Sequence, residues 1–500
     1  MLAILIGLFA AGAPVDVVPA GDGGSSRIVA TNASVHEVSL SLGPATGQAA
    51  NLPSMPGYGT STLWATCLDG SMAPAPALEA RLDHLRTSVS VPALGFEGGA
   101  PALWIAAEPD GAAVLSAALK GGGVDRILRR PPAEVPDAFQ TMRFAPFLVA
   151  SAPDLAALSP AQRSAVEQAV AAGSTLVLAT GEGGTGADLV RNWVGIGIGD
   201  AVHPGPAAQA AVPRSVTVRQ LTPSGAAVPR VTADGLALLV EAPWGLGRVR
   251  VLAVGLQDLE PGALTAAAFQ PAPDALGTLR AWLSAQPPMA DDAHLPFRAA
   301  VWYVLLALGG LAIASRFAPR IAAAGTLPLL GVALWLPPAG PATRADAARV
   351  AVLPVGHGAL LVGSLDFAFG AGGGRALAAG VHPVALEDAR PRGACLITGA
   401  GSNHFMLSVP PAGQERLAFL SWLSKVPVGL DGGTPDGELP GGIDGPLAGA
   451  RLMRLSAPIE LPLADPPPAG RVEAWRVVAP SGEPTAPVVL TAPTSEPPAP

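Results

Sequence analysis

One glycine run punctuated by a single acid, Gly181-Glu182-Gly183-Gly184-Thr185-Gly186, is the stretch of this sequence best placed to do chemistry, and Asp188 follows it closely. Glycines just after a parallel strand let backbone N–H groups approach an anion. A nucleotide-binding loop of that kind would need a Lys and a Ser or Thr in GxxxxGK[ST] spacing, whereas this loop continues Ala187-Asp188. Glu182 would also repel a phosphate. The ligand-loop candidates are therefore Gly181, Glu182, Gly183, Gly184 and Asp188, and the simpler reading is a tight turn at the carboxyl edge of a sheet. Asp154, Glu182 and Asp188 could together form an acidic rim there. A hydrolase built on Glu182 and Asp188 would need the two carboxylates to converge, with one pKa raised by burial or by the other's charge.

The other candidates are weaker. Ser402-Asn403-His404 puts a hydroxyl near an imidazole, but a nucleophile and its base must meet from separate elements. His357 stands in a Gly-His-Gly phrase and reads as a hairpin residue. Asp291, Asp292 and His294 could gather a cation, although they read more simply as a polar flank. His36 reads as a surface residue of a strand, His84 has Asp83 beside it but no third candidate nearby, and His203 lies in a Pro/Gly loop. Cys67 and Cys395, the only cysteines, lie in different halves and form neither a CxxC pair nor a zinc knuckle. A disulfide between them requires the flanking regions to meet; small core residues on strands is the simpler reading. No catalytic residue, metal site or cofactor is assigned.

Composition narrows the classes further. The chain has 500 residues, 60 Gly, 54 Pro and 14% charged residues, with a formal charge of −8. That length allows two or three domains. No basic stripe, aromatic-interleaved patch or zinc-finger spacing appears, which argues against nucleic acid as a partner.

The elements that would position these residues fall into blocks. Residues 1–13, MLAILIGLFAAGA, read as a signal peptide or N-terminal anchor. Residues 15–95 show period-2 alternation with polar turns, a β-sandwich-like region. From 100 to 285 strands alternate with helices. LWIAAE, VDRILRR, FAPFLVAS and STLVLATG read as strands, Ser159-Pro160 opens a helix ending at Gly173, and LALLVEAPWG and GRVRVLAVGLQD meet at a bend at Trp244-Gly245. Such alternation implies a parallel sheet covered on both faces. Two apolar runs follow at 299–317 and 321–338, split by Arg316 and Arg320; both approach the roughly 20 residues that a transmembrane helix needs. Residues 345–480 read as β-rich, with a hairpin turning at Gly356-His357-Gly358 and a short helix over 414–422. Residues 481–500 are Pro-rich and read as disordered.

The phrases PDLAALSPAQRSAVEQAVAAGSTLVLATG (153–181) and PWGLGRVRVLAVGLQD (243–258), followed by the paired apolar runs, resemble a family of uncharacterised bacterial envelope proteins. Their extracytoplasmic domain is similar to the class I glutamine amidotransferase fold. The resemblance covers about 100–345 and implies a flavodoxin-like α/β domain, flanked by β-rich domains, with a two-helix transmembrane hairpin. It argues against the activity. The family's Gly-x-Cys-x-Gly turn carries the nucleophile, yet Gly181 or Glu182 stands at that place, and no His-x-Glu pair follows SVTVRQL.

The expectation is a non-catalytic, membrane-anchored cell-envelope scaffold or binding protein. Membrane lipid and envelope proteins would be its partners. The resemblance implies the bacterial inner membrane, and the positive-inside tendency favours a cytoplasmic turn between the two runs with both large domains extracytoplasmic. The alternatives are an accessory subunit of an ABC-type or other export complex, and a carboxylate-dependent hydrolase.

Overall fold

The structure, a computed structural model, describes residues 102–284 with short breaks, 344–368 and 414–425, and separate strands between residues 15 and 90 and between 374 and 491. The chain begins with seven strands: β1 (Val15–Pro19), β2 (Ser25–Thr31), β3 (Val38–Pro44), β4 (Ala50–Met55), β5 (Thr60–Cys67), β6 (Pro76–Leu82) and β7 (Leu85–Ser90). The α/β region follows with β8 (Ala102–Ile105), β9 (Ile127–Arg130), β10 (Phe147–Ser151), helices α1 (Ala152–Ala157) and α2 (Pro160–Ala171), β11 (Thr175–Ala179) and α3 (Ala187–Val194). It continues through β12 (Ile196–Val202), β13 (Val218–Pro223), β14 (Val228–Ala233), β15 (Leu236–Trp244), β16 (Gly247–Leu252), α4 (Ala263–Ala268) and α5 (Ala275–Ser284).

The C-terminal part is built from strands. They are β17 (Arg344–Val355), β18 (Gly358–Ala368), β19 (Gly374–Ala379), β20 (Val381–Val384), β21 (Cys395–Gly399), β22 (Ser402–Val409), β23 (Gln414–Leu423), β24 (Pro435–Glu438), β25 (Arg451–Arg454), β26 (Leu463–Asp465), β27 (Glu473–Val478) and β28 (Val488–Leu490).

The central sheet is mixed and has eight strands, in the order β28-β14-β15-β16-β11-β10-β8-β9. This corrects the expected parallel sheet. Strand β15 alone runs against its neighbours, antiparallel to both β14 and β16, while every other pairing in the sheet is parallel. The cause is local. Two-residue loops, Asp234-Gly235 and Gly245-Leu246, flank β15, and so short a loop can join only antiparallel neighbours. Asp234, Gly235 and Gly245 all take positive φ, at 52°, 76° and 62°.

The transmembrane hairpin is also corrected. Among the described residues no helix is long and apolar enough to cross a membrane. The longest described helix, α2, has 12 residues, well short of the roughly 20 needed. The runs at 299–317 and 321–338 lie outside the described residues apart from Arg316, as does the leader at 1–13. The membrane and transmembrane assignments are withdrawn with them.

Other differences concern pairing at a distance. Of the N-terminal strands, β3, β4, β6 and β7 form a four-stranded sheet of their own, whereas β1, β2 and β5 share a seven-stranded sheet with β21, β22, β19 and β26. The segment read as a helix over 414–422 is strand β23, which pairs with β18 along its whole length. Ala418 to Ser421 are buried without interruption, as in a strand covered on both faces. Within the Pro-rich tail, β28 lies parallel to β14 at the sheet's edge.

A continuous apolar core joins the central sheet to the β17–β18 hairpin: Val177, Val251 and Leu279 belong to one cluster with Leu353, Leu360 and Leu420. Phe147 meets Phe269 edge-on, with centroids 6.1 Å apart. The β15–β16 turn is pressed onto the end of α2, where the Leu246 N–H donates to the Ala171 carbonyl at 2.9 Å. A Cβ on Gly247 would lie 2.1 Å from the Val170 carbonyl oxygen and 2.2 Å from that of Ser174. Both obstacles are backbone. Gly247→Ala is expected to lower unfolding stability by about 1–3 kcal/mol in urea titration, as overpacked core substitutions do.

Candidate functional site

Strand order reverses between β8 and β10, because the chain runs from β8 outward to β9 and then returns to the other side of β8. In open α/β sheets the crevice beyond the carboxyl ends at such a point is where ligands bind. Three elements converge there. Strand β8 runs into Ala106 and Ala107, β10 ends in Ser151 and feeds α1, and β9 brings Arg129 alongside.

Local sequence dictates how they are tied. Ser151 is the N-cap of α1, with a proline in the first turn, and its hydroxyl accepts the Asp154 N–H at 3.1 Å. The same hydroxyl donates to Asp154 Oδ2 at 2.6 Å. Asp154 Oδ1 accepts the Ala107 N–H, also at 3.1 Å. Arg129 donates from Nε to the Ala106 carbonyl and from Nη2 to that of Ala107. Asp154 therefore ties the end of β8 to the start of α1, and Arg129 ties the same end of β8 to β9.

The glycine loop lies one strand further along. Gly181, Glu182, Gly183 and Gly184 fall outside the described residues. Thr180, just before them, is buried, and its hydroxyl has no partner among the described residues. Gly186 caps α3 at φ 86°, and a Cβ there would sit 2.5 Å from the Ala152 carbonyl oxygen. That close approach explains why a glycine is required at this end of the loop. Asp188 lies in the first turn of α3 and is exposed, a favourable place for an acid beside a helix N-terminus.

The remaining candidates do not converge. His203 is exposed in the loop after β12. His357 is exposed in the β17–β18 turn. Ser402, Asn403 and His404 are consecutive on β22, opposite Gly399, Thr398 and Ile397, so Ser and His come from the same strand rather than from facing elements. Asp291, Asp292, His294, His36 and His84 lie outside the described residues. Among the described residues no group of three or more His, Cys, Asp or Glu is placed to hold a metal.

A second charged constellation went unread in the sequence. Glu241 on β15 is 5% exposed and faces three arginines. Its Oε2 accepts from Arg250 Nε at 2.8 Å, its Oε1 accepts from Arg248 Nη1 at 2.5 Å, and Arg230 Nε lies 3.5 Å from Oε1. Arg250 also donates to the carbonyls of Ala268, the last residue of α4, and Gln270, just beyond it. Glu241 and Arg250 are direct cross-strand partners, and Arg230 occupies a register shift in β14. The legible signal was Arg248-Val249-Arg250: two arginines two apart in a buried strand share one face and need an anion.

Burial pushes the Glu241 carboxyl up, but Arg250, Arg248 and Arg230 together outweigh it and hold it below the ordinary carboxylate range. The opposite balance holds at Glu167 on α2. There burial raises the carboxyl above its usual value, against the smaller pull of Arg163 and His357.

No family model matches the chain, and no curated protein matches it. Among solved structures it is similar to Cytoplasmic Protein STM3548 from Salmonella typhimurium, at 16% identity over 31% of this chain and 87% of that one, with a TM-score of 0.25. It is also similar to Cytoplasmic Protein STM1381 from Salmonella typhimurium LT2, at 14% identity over 34% and 96%, TM-score 0.26. A third likeness is to the exo-beta-1,4-mannosidase Op5Man5 from Opitutaceae bacterium strain TAV5, at 11% identity over 32% and 31%, TM-score 0.24. At such scores none of these carries an argument about fold or activity.

The Glu241 cluster gives a test with a definite sign. A depressed folded-state pKa contributes stability above the unfolded value of about 4.5, and that stability is lost as pH falls through the lower folded value. Glu241→Gln leaves buried guanidinium charge uncompensated and is expected to cost about 3–5 kcal/mol at pH 7. Urea denaturation from pH 7 to pH 3 should show the gap between wild type and variant narrowing at the acid end.

Proposed function

We propose that the protein is a non-catalytic scaffold or binding protein whose partner is another protein. The observation that carries this reading is the closure at the switch point. Both oxygens of Asp154 accept bonds from Ala107 and Ser151, and Arg129 donates to the carbonyls of β8. Among the described residues, the polar side chains at that point, Arg129, Ser151 and Asp154, hold strand ends together.

Chemistry at a carboxyl edge needs a base or nucleophile aimed into a crevice, whereas Asp154 is turned to the Ala107 N–H and the Ser151 hydroxyl. The absent Gly-x-Cys-x-Gly turn supports the same reading from the sequence side. Asp188, half of the carboxylate pair required for a hydrolase, stands exposed on α3. The uninterrupted core between the central sheet and the β17–β18 hairpin suits a rigid body that presents surfaces.

Two measurements on the full-length chain test this. Hydrolysis of glutamine, p-nitrophenyl esters, phosphates and glycosides by the wild type should stay at background. Asp154→Ala should lower stability by about 1.5–3 kcal/mol through its lost hydrogen bonds. Turnover by the wild type that Asp154→Ala abolishes, with folding intact, would refute the scaffold reading.

A further inference from the structure

We infer that Cys67 and Cys395 form a reversible cross-strand disulfide that fastens the N-terminal strands to the C-terminal β region. The inference goes beyond the scaffold reading and does not depend on it. It rests on a juxtaposition: strands β5 and β21 pair antiparallel, and Cys67 and Cys395 stand at directly opposed register positions. They are the only two cysteines of the chain, and more than half of its length separates them.

The register runs without a bulge from Cys395↔Cys67 through Leu396↔Thr66, Ile397↔Ala65 and Thr398↔Trp64 to Gly399↔Leu63. Directly opposed residues of an antiparallel pair occupy the same face of the sheet, with Cα atoms about 4.5–5.5 Å apart. A disulfide spans Cα separations of about 4.4–6.8 Å. A slip of one residue would put the two cysteines on opposite faces, so the bond is compatible with this register and not with its neighbour. Both strands lie inside a seven-stranded sheet, flanked by β2 and β22, which hold that register from either side.

The oxidant required is a disulfide donor, and the chemistry is thiol–disulfide exchange. The Cys67 thiolate attacks a donor sulfur, forming a mixed disulfide and releasing one donor thiolate. The Cys395 thiolate then attacks the Cys67 sulfur of that mixed disulfide. The Sγ–Sγ bond forms, the second donor thiolate leaves, and the two cysteine protons pass to solvent. The protein loses two electrons and the donor gains two. The roles of the two cysteines can be exchanged without altering the balance. A dithiol reverses the reaction.

Closing so long a loop restricts the unfolded chain strongly, so the bond is expected to act on stability. The experiment uses the full-length chain, reduced, freed of reductant and exposed to oxidised glutathione, then denatured and blocked with N-ethylmaleimide. Peptide mass spectrometry should find Cys67 linked to Cys395 in a chain that migrates as a monomer without reductant. The thermal midpoint of the oxidised chain should exceed that of the reduced chain by about 5 °C or more. Cys67→Ser and Cys395→Ser should each retain a glutathione adduct on the remaining cysteine. Overturning results are maleimide on both wild-type cysteines, persistent glutathione on each, or a bond between two chains. The wild-type measurement decides the matter even where a serine variant does not fold.

Discussion

A buried carboxylate facing three guanidinium groups tolerates very little displacement, and Glu241 imposes that constraint on the middle of the central sheet. Its partners come from the strands on either side: Arg230 from β14, and Arg248 and Arg250 from β16. A one-residue slip of β15 would send Glu241 to the other face and leave charge buried without its counterion. Such clusters contribute little net stability compared with a well-packed apolar core, but they penalise wrong registers heavily. Arg250 extends the constraint to the end of α4 and just beyond it through two carbonyls.

That register in turn sets the junction with the rest of the molecule. Fixing β15 and β16 fixes their turn, which lies against the end of α2. Trp244 at the end of β15 meets Trp193 of α3 edge-on, with centroids 5.8 Å apart. The ring of Trp244 also lies against Gly356 in the β17–β18 turn, and helix α5 packs on β18. Glu167 on α2 is close enough to His357 in that turn to feel its charge. The hairpin thus meets Trp244 at the β15–β16 turn and helix α5.

Local pattern made much of this legible in advance. The helix opened by Ser159-Pro160 is present with a complete capping box, because Ser159 and Gln162 satisfy each other's backbone N–H groups. The bend at Trp244-Gly245 and the hairpin turn at Gly356-His357 stand where glycine spacing put them. Asp234-Gly235, an equally strong hairpin signal, was passed over, and with it the reversal of β15. Pairings between distant segments left no local trace. Nothing in the alternation of Thr60–Cys67 says that its neighbour is Cys395–Gly399, and nothing in Gln414–Leu423 alone favours strand over helix. At the candidate site, sequence singled out Asp154, Glu182 and Asp188 as an acidic rim. The capping role of Ser151 and Asp154 was written in their three-residue spacing, but the Ala107 bond depends on tertiary contact.

The central claim is that the α/β sheet and the C-terminal hairpin form one mechanically continuous body, organised by the Glu241 cluster. Native-state hydrogen exchange followed by mass spectrometry addresses it directly, because cooperative units exchange together. Peptides from 236–252 and from 350–362 should fall in a single slow class and lose protection together as urea is raised. Fast, independent exchange of 350–362 while 236–252 stays protected would contradict the account.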